Sequence, residues 1–234
     1  MMRLWHFLIA VGVVLADGGG EKHQPINLAV LLPIADDRRP FSEVRLRPAI
    51  DMAVDQVSTF LPRRLRLSYR DSNCSVAQGM NEAIKYFMDG PPNVYFGPIC
   101  DYAVAPVARQ SHFWDIPVVT VGALDRDFLS NRRVSYPLLT RAGPVNLFEL
   151  TDTILEVMHE YRWRRMKLLY EHYAGSDVIP PFCHLAAGTV WYLLDSASSQ
   201  RLVRKHYHKF DLDPAKIDFD EVLINEVGLN YAGA

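Results

Sequence analysis

Short apolar runs alternate with longer amphipathic stretches along the first half of the chain. Residues 26–33 are almost continuously apolar and are bounded by prolines, which predicts a central parallel strand. Further short runs of this kind occupy residues 65–69, 94–96 and 118–121. Because parallel strands joined by helices need right-handed crossovers, this alternation predicts a doubly wound sheet.

The stretches between the apolar runs have helical spacing. Ser42 and Ser75 can cap the first two helices, and the third is predicted over residues 103–113. We expect the apolar positions of the first two helices to face the sheet: Leu46, Ala49, Ile50, Ala53, Val54, Val57 and Phe60 in the first, and Ala77, Met80, Ala83, Ile84 and Phe87 in the second.

The rest of the chain predicts a smaller second lobe. Residues 136–141 would carry the chain across a hinge, and a helix from residue 144, a strand at 166–170, a helix at 182–195, a weak strand at 203–210 and a helix at 218–227 follow. The predicted fold class is therefore α/β, with a doubly wound parallel-sheet lobe over residues 26–141 and an incomplete second α/β lobe over residues 142–234. Two strands alone are marginally stable in water.

The amino terminus has the pattern of a secretory signal peptide. Met1, Met2 and Arg3 precede an apolar stretch that ends in Val14, Leu15 and Ala16, after which we expect cleavage, so the signal would cover residues 1–16. A membrane anchor is the alternative, but a span needs about 20 apolar residues and this stretch has about a dozen. We therefore expect an exported protein.

Composition excludes some functions. The 234 residues are 49% hydrophobic and 22% charged, which provides enough apolar material for a core. The formal net charge of -2 and the sequence pI near 6.4 argue against nucleic acid as a partner, because phosphate neutralisation needs a basic surface. Common enzyme motifs are absent from the sequence. His206 and His208 could face the same side of a strand, but a pair without further ligands is assigned no metal site.

The three cysteines suggest one bond and one leftover thiol. Cys74 and Cys100 both follow short strands, so a disulfide between them at one sheet edge is plausible in an exported protein. Cys183 is then unpaired. Asn73-Cys74-Ser75 is an N-glycosylation sequon, but a cysteine in its middle position would obstruct glycosylation, and we expect low occupancy at Asn73.

Several segments together resemble one receptor family. The main one is residues 97–109, Gly-Pro-Ile-Cys-Asp-Tyr-Ala-Val-Ala-Pro-Val-Ala-Arg, and it is supported by residues 30–33, 45–50, 69–74, 113–117, 122–124 and 139–144. These segments resemble the extracellular ligand-binding domain of natriuretic peptide receptors, which has a periplasmic-binding-protein-like type I fold. The resemblance covers roughly residues 26 to 185.

The resemblance implies a receptor ligand-binding region that binds a peptide hormone and catalyses nothing. Full-length relatives cross the membrane once, form homodimers and continue into a short tail or a guanylate cyclase segment. Two alternatives stay open. The chain could bind a small, amino-acid-like molecule through the same fold, or it could be a truncated or secreted receptor fragment that binds nothing.

The resemblance also implies a buried chloride site at two strand ends. The Ser72 hydroxyl and the backbone N–H groups of Ile99 and Cys100 would bind the anion, which is chemically sound because such donors can replace a hydration shell. The alternative is an ordinary capping turn without an ion. No other cofactor is expected.

Tyr102 and Arg109 are seven residues apart and therefore lie on one face of the third helix. In the receptors that this chain resembles, the matching Tyr and Arg face the hormone. A packed Tyr and a solvated Arg are the alternative. The next turn departs from the family pattern, since Phe113-Trp114 follows His112 where relatives have a His-Trp pair. Because the second and third helices make the family's dimer contact, this departure puts the homodimer in doubt.

Overall fold

The computed structural model describes residues 24–36, 39–143, 146–176, 179, 181–195, 204–210 and 218–228, and at residues 165, 195 and 204–210 it describes the backbone only. The predicted signal peptide at residues 1–16 lies outside this part of the chain. Among the described residues, no helix has the length and apolar character needed to cross a membrane.

A five-stranded parallel sheet forms the first lobe, in the order β2-β1-β3-β4-β5. The strands are β1 (Ile26–Leu32), β2 (Leu65–Asp71), β3 (Val94–Phe96), β4 (Val118–Thr120) and β5 (Leu139–Arg141). The fold-class prediction is confirmed. Residues 136–141, expected to carry the chain across a hinge, also contribute a strand that the sequence did not predict, because β5 pairs in parallel with β4 and extends the sheet.

Helices cover both faces of this sheet, as a doubly wound fold requires. They are α1 (Glu43–Ser58), α2 (Val76–Asp89), α3 (Asp101–Trp114) and the short α4 (Asp127–Ser130) and α5 (Arg132–Ser135). Successive residues of a strand point to opposite faces. Ala29 and Leu31 accordingly pack with α2 and α3, while Val30 and Leu32 pack on the side of α1.

The buried face of α2 is rotated from the predicted one. Gly79, Ala83 and Tyr86 are its buried residues; of the predicted positions, Met80, Ala83 and Phe87 pack in the core, whereas Ala77 and Ile84 are exposed. The rotation follows from close packing against α3, because a Cβ atom on Gly79 would lie only 3.4 Å from the Cβ of Ala103. A glycine contributes nothing to an apolar count, so the periodicity missed this contact.

The face of α1 is less covered than predicted. Leu46 and Ile50 pack against the core and Val54 and Val57 are half-buried, but Ala49, Ala53 and Phe60 are exposed. Ser42 occupies the position before the helix, yet its hydroxyl makes no capping bond. No second helix of the described residues packs beside α1 as α3 packs beside α2, so the flank of α1 stays open.

The second part of the chain contains α6 (Leu147–Glu160), β6 (Arg165–Glu171), α7 (Phe182–Asp195), β7 (Arg204–Phe210) and α8 (Phe219–Val222), which continues as a π-helical turn (Leu223–Val227). The strands β6 and β7 form a parallel pair. Asn146 and Asp218 cap α6 and α8 with their side chains. The apolar side chains of α6, α7 and β6 share a small core.

Candidate functional site

The carboxyl ends of β2 and β3 meet at one edge of the sheet, where a disulfide joins Cys74 to Cys100. The two Cα atoms are 5.3 Å apart, which is an ordinary separation for a bridge. The predicted pairing is therefore confirmed. The bridge ties the turn after β2 to the start of α3.

Asp71 organises the turn after β2. Its Oδ1 accepts the N–H of Ile34 at 2.9 Å and the N–H of Asn73 at 2.8 Å. The Ser75 hydroxyl then accepts the N–H of Gln78 at 3.3 Å and caps α2. Asn73 itself is exposed and has a left-handed φ of 47°. These bonds explain why polar residues follow the strand. Low occupancy of the glycosylation sequon at Asn73 stays a prediction.

The turn after β3 depends on a glycine. Gly97 has a φ of 85°, a conformation that side chains disfavour. A Cβ atom at this position would also lie 2.2 Å from the carbonyl oxygen of Leu31. Glycine therefore allows the chain after β3 to pack closely against β1. The backbone N–H groups of the following residues then lie at the carboxyl edge of the sheet.

Ser72 has an unpaired hydroxyl at this edge. The residue is 1% exposed, and its Oγ makes no hydrogen bond to any residue that the structure describes. The backbone N–H groups of Ile99 and Cys100, both also buried, likewise donate no hydrogen bond within the described chain. A buried donor without a partner costs about 1–3 kcal/mol. The three donors predicted for chloride are thus chemically suited to an anion.

Asp101, which sequence reasoning missed as a site residue, is a buried carboxylate at the start of α3. It is 1% exposed, and its Oδ1 accepts the N–H groups of Leu124 at 2.5 Å and Asp125 at 2.9 Å. Burial raises the pKa of Asp101 to about 6, although these two bonds and the charge of Arg141 oppose the shift. Its other oxygen has no hydrogen-bond partner among the described residues. An acidic residue at a helix start is common, so only burial singles it out.

Tyr102 and Arg109 are both exposed on α3. Tyr102 is 50% exposed. The guanidinium of Arg109 donates to the Tyr136 hydroxyl, lies 3.5 Å from the Asp127 carboxylate, and sits 5.1 Å from the centre of the Tyr136 ring. Bonds from Tyr136, Asn131 and Arg109 lower the pKa of Asp127 despite partial desolvation. Arg109 is therefore exposed but held in place.

The departure at the end of α3 separates two aromatic residues. Phe113 is 80% exposed, whereas Trp114 stacks on Phe87 with ring centres 4.7 Å apart. Trp114 thus belongs to the core and Phe113 lies on the outer surface with His112. The exposed ring continues the outward line of α3 beyond Arg109.

Apolar side chains fill the region between the sheet edge and the second part of the chain. Ile99 and Leu124 belong to one buried cluster with Leu147, Ile179 and Leu185. Two polar contacts support this packing. Arg39 Nη1 donates to the carbonyl oxygen of Ser176 at 3.0 Å, and the Arg126 guanidinium lies 4.2 Å above the Tyr192 ring.

Cys183 is a free cysteine of intermediate exposure. Burial raises the pKa of its thiol, and the charge of Glu171 adds to the shift. Because the thiolate is the reactive form, the thiol should pair slowly with other chains. Among the described residues, no group of three potential metal ligands is present. The side chains of His206 and His208 fall outside the described part.

Residues 45–188 match the receptor family ligand binding region. The chain belongs to this family. The family is a ligand-binding region, so the expectation of a binding module rather than an enzyme is confirmed. The predicted resemblance to natriuretic peptide receptors is confirmed as well, as the following relatives show.

Atrial natriuretic peptide receptor 3 of Rattus norvegicus is 35% identical over 162 residues, which cover 63% of this chain and 29% of the receptor. The receptor 3 of Homo sapiens is 34% identical over 162 residues, covering 63% of this chain and 28% of the receptor. Atrial natriuretic peptide receptor 2 of Rattus norvegicus is 30% identical over 164 residues, covering 68% and 16%. The chain thus spans less than a third of the length of these relatives.

The fold has a solved counterpart in an ABC transporter substrate-binding protein from Sphaerobacter thermophilus. The TM-score is 0.62 at 18% sequence identity, with 87% of this chain and 52% of that chain covered. At this identity the likeness establishes the architecture alone, and it agrees with the periplasmic-binding-protein-like fold that the sequence predicts.

Proposed function

We propose that the chain is the hormone-binding region of a natriuretic-peptide-receptor-like protein of the cell surface, facing the outside of the cell. The observation that carries the proposal is the outward pair on α3. Tyr102 offers a half-exposed ring, and Arg109 offers donors held by Asp127 and Tyr136. An exposed Tyr ring can bury a large area on binding, and an Arg that is already held in place loses little side-chain entropy, so the pair is suited to anchoring a peptide.

The packing between the two parts of the chain favours this function over small-molecule binding. An amino-acid-like ligand needs polar groups that converge between the lobes. In the described residues that region holds Ile99, Leu124, Leu147, Ile179 and Leu185, all buried and apolar. A peptide bound on the outer surface of α3 does not require this region to open. Homodimerisation through α2 and α3 is a separate proposal, and the exposed Phe113 is compatible with a dimer and with a monomer.

Hormone binding should depend on Arg109. We expect Arg109→Ala to weaken binding of atrial natriuretic peptide by about tenfold or more, the loss typical of an interface anchor. Calorimetry or surface plasmon resonance on the full 234-residue chain measures the effect. Arg133→Ala removes an equally charged, exposed side chain of α5 that has no ion pair among the described residues, and it should change affinity less than twofold. If the unmutated chain does not bind at micromolar concentration, the proposal that it binds this hormone is wrong.

We also propose a structural chloride ion held by the Ser72 hydroxyl and the amides of Ile99 and Cys100. The Ser72 hydroxyl is buried and unpaired, the two amides belong to buried residues, and none of the three has an acceptor or a bonded carboxylate in the described chain. An anion would satisfy all of them at once. The ion would fix the turns after β2 and β3, which the disulfide already joins.

Replacing chloride by a bulky anion such as gluconate should lower the melting temperature by several degrees, because the three donors lose their partner. Ser72→Ala should remove most of this dependence. Ser111→Ala is the control, since the Ser111 hydroxyl is also buried but donates to the carbonyl oxygen of Ala108 at 2.9 Å. Differential scanning calorimetry in matched salts gives the result. A melting temperature that is indifferent to the anion contradicts the site, and hormone binding can still be tested separately.

A further inference from the structure

The outer edge of β2 is open in the part of the chain that the structure describes. This seven-residue strand lies at one end of the sheet and pairs only with β1. Ile26 N–H donates to the Arg64 carbonyl at 2.9 Å, and Ser72 N–H donates to the Leu32 carbonyl at 2.9 Å. In a parallel ladder, alternate residues bond to a given neighbour. The even-numbered residues of β2 therefore bond to β1.

The odd-numbered residues of β2 direct their backbone groups away from the sheet. For Leu65, Leu67 and Tyr69, no described residue accepts from the N–H or donates to the carbonyl. Such a row of groups is a template for another strand. These three residues therefore offer donors and acceptors to another strand, whereas at the end of β2 the Asp71 carbonyl already accepts from Gln78 Nε2 at 3.0 Å.

A groove lies at the start of β2, beside the end of β1 that Pro25 precedes. Its volume is about 530 Å³, and Pro25, Arg64, Leu65, Arg66 and Leu67 line it. The side chains alternate, with exposed arginines on one face and half-buried leucines on the other. The groove thus has a cationic side and an apolar side.

The two arginines of the groove have no carboxylate partner among the described residues. Arg70, further along the same strand, is neutralised by Glu82 at 3.6 Å and Asp89 at 2.6 Å. No such ion pair involves Arg64 or Arg66 in the described chain. Within the described part of the chain, the positive charge at this end of the strand is therefore not neutralised.

We propose that the outer edge of β2 binds an extended peptide by strand addition, and that the peptide alternates acidic with apolar side chains. Added strands place their side chains beside those of the edge strand, face by face. Carboxylates would meet Arg64 and Arg66, while apolar side chains would meet Leu65 and Leu67. Self-association is disfavoured at the same edge, because a second copy of β2 would bring arginines against arginines.

The first test uses the full chain and a fluorescein-labelled seven-residue peptide that alternates glutamate and valine. Fluorescence anisotropy at about 50 mM salt should show binding that is lost at about 500 mM, where the screening length is a few ångströms. The double variant Arg64→Glu, Arg66→Glu should weaken binding about tenfold or more. The matched variant Arg132→Glu, Arg133→Glu reverses two exposed arginines of α5 and should change it less than twofold. A lysine–valine peptide should not bind.

The second test separates strand addition from simple anion binding. Two peptides carry N-methyl groups on alternate residues, in complementary registers. One register blocks the N–H groups that donate to β2 and should abolish binding, while the other should be tolerated. Equal binding by the two methylated peptides would overturn strand addition. So would a sulfated polysaccharide that displaces both methylated peptides as readily as it displaces the unmethylated peptide. Absence of binding by the parent peptide at millimolar concentration would also overturn it.

Discussion

The substitution Gly122→Ala is expected to destabilise the first lobe by about 2–4 kcal/mol. A Cβ atom on Gly122 would lie 1.7 Å from the carbonyl oxygen of Ile99 and 2.7 Å from its carbonyl carbon. Both contacts are with backbone, so no side chain can rotate to relieve them. The chain after β4 or the turn after β3 must move, and the same turn carries the amides proposed to bind chloride.

Gly188→Ala provides the matched control for this prediction. Gly188 lies inside α7, and a Cβ atom there would have no neighbour within 4 Å. Alanine should therefore stabilise the helix by about 0.5–1 kcal/mol. Urea unfolding of both variants measures the two effects. If Gly122→Ala lowers the free energy of unfolding by no more than about 1 kcal/mol, the turn after β3 is not packed against the chain after β4.

The first four strands of the first lobe and the disulfide could be predicted because their causes are local. Residues 26–33 are apolar because β1 is buried on both faces, and Cys74 and Cys100 follow strands that end at the same sheet edge. Tyr102 and Arg109 share an exposed face because seven residues make about two helical turns. These features depend on spacing along the sequence alone.

Other features depend on contacts between distant segments and could not be predicted in this way. The strand β5 has only three residues, and it forms because Val118 and its neighbours offer an edge to pair with. The rotation of α2 depends on the fit of Gly79 against Ala103 of α3. The burial of Asp101 depends on a chain segment more than twenty residues away that supplies two N–H groups.

Asp101 connects the proposed anion site with the end of the first sheet. It follows Cys100 directly, and its carboxylate fixes the backbone of Leu124 and Asp125 after β4. Arg141, at the end of β5, attracts this carboxylate, and its own pKa is lowered by burial. The carboxylate is thus needed as an acceptor, although its charge is poorly solvated. Its protonation state should therefore affect stability.

Asp101→Asn should change how stability depends on pH. The folded protein holds a proton on Asp101 up to about pH 6, whereas an ordinary aspartate releases it near 3.8. Stability from this group is therefore present below about pH 4 and is lost as the pH rises through 6. The loss is about 3 kcal/mol at most, since each pKa unit corresponds to about 1.4 kcal/mol. Asparagine keeps an oxygen for the N–H groups of Leu124 and Asp125 but carries no charge at any pH.

The unfolding free energy of Asp101→Asn should consequently rise relative to that of the unmutated protein between pH 4 and pH 7.5. Urea unfolding at a series of pH values measures this difference, in which the titrations of all other groups cancel. Asp152→Asn removes an exposed carboxylate of α6 and should give a nearly flat difference. A flat difference for Asp101→Asn as well would show that the attraction of Arg141 and the two backbone bonds fully offset the desolvation of the carboxylate.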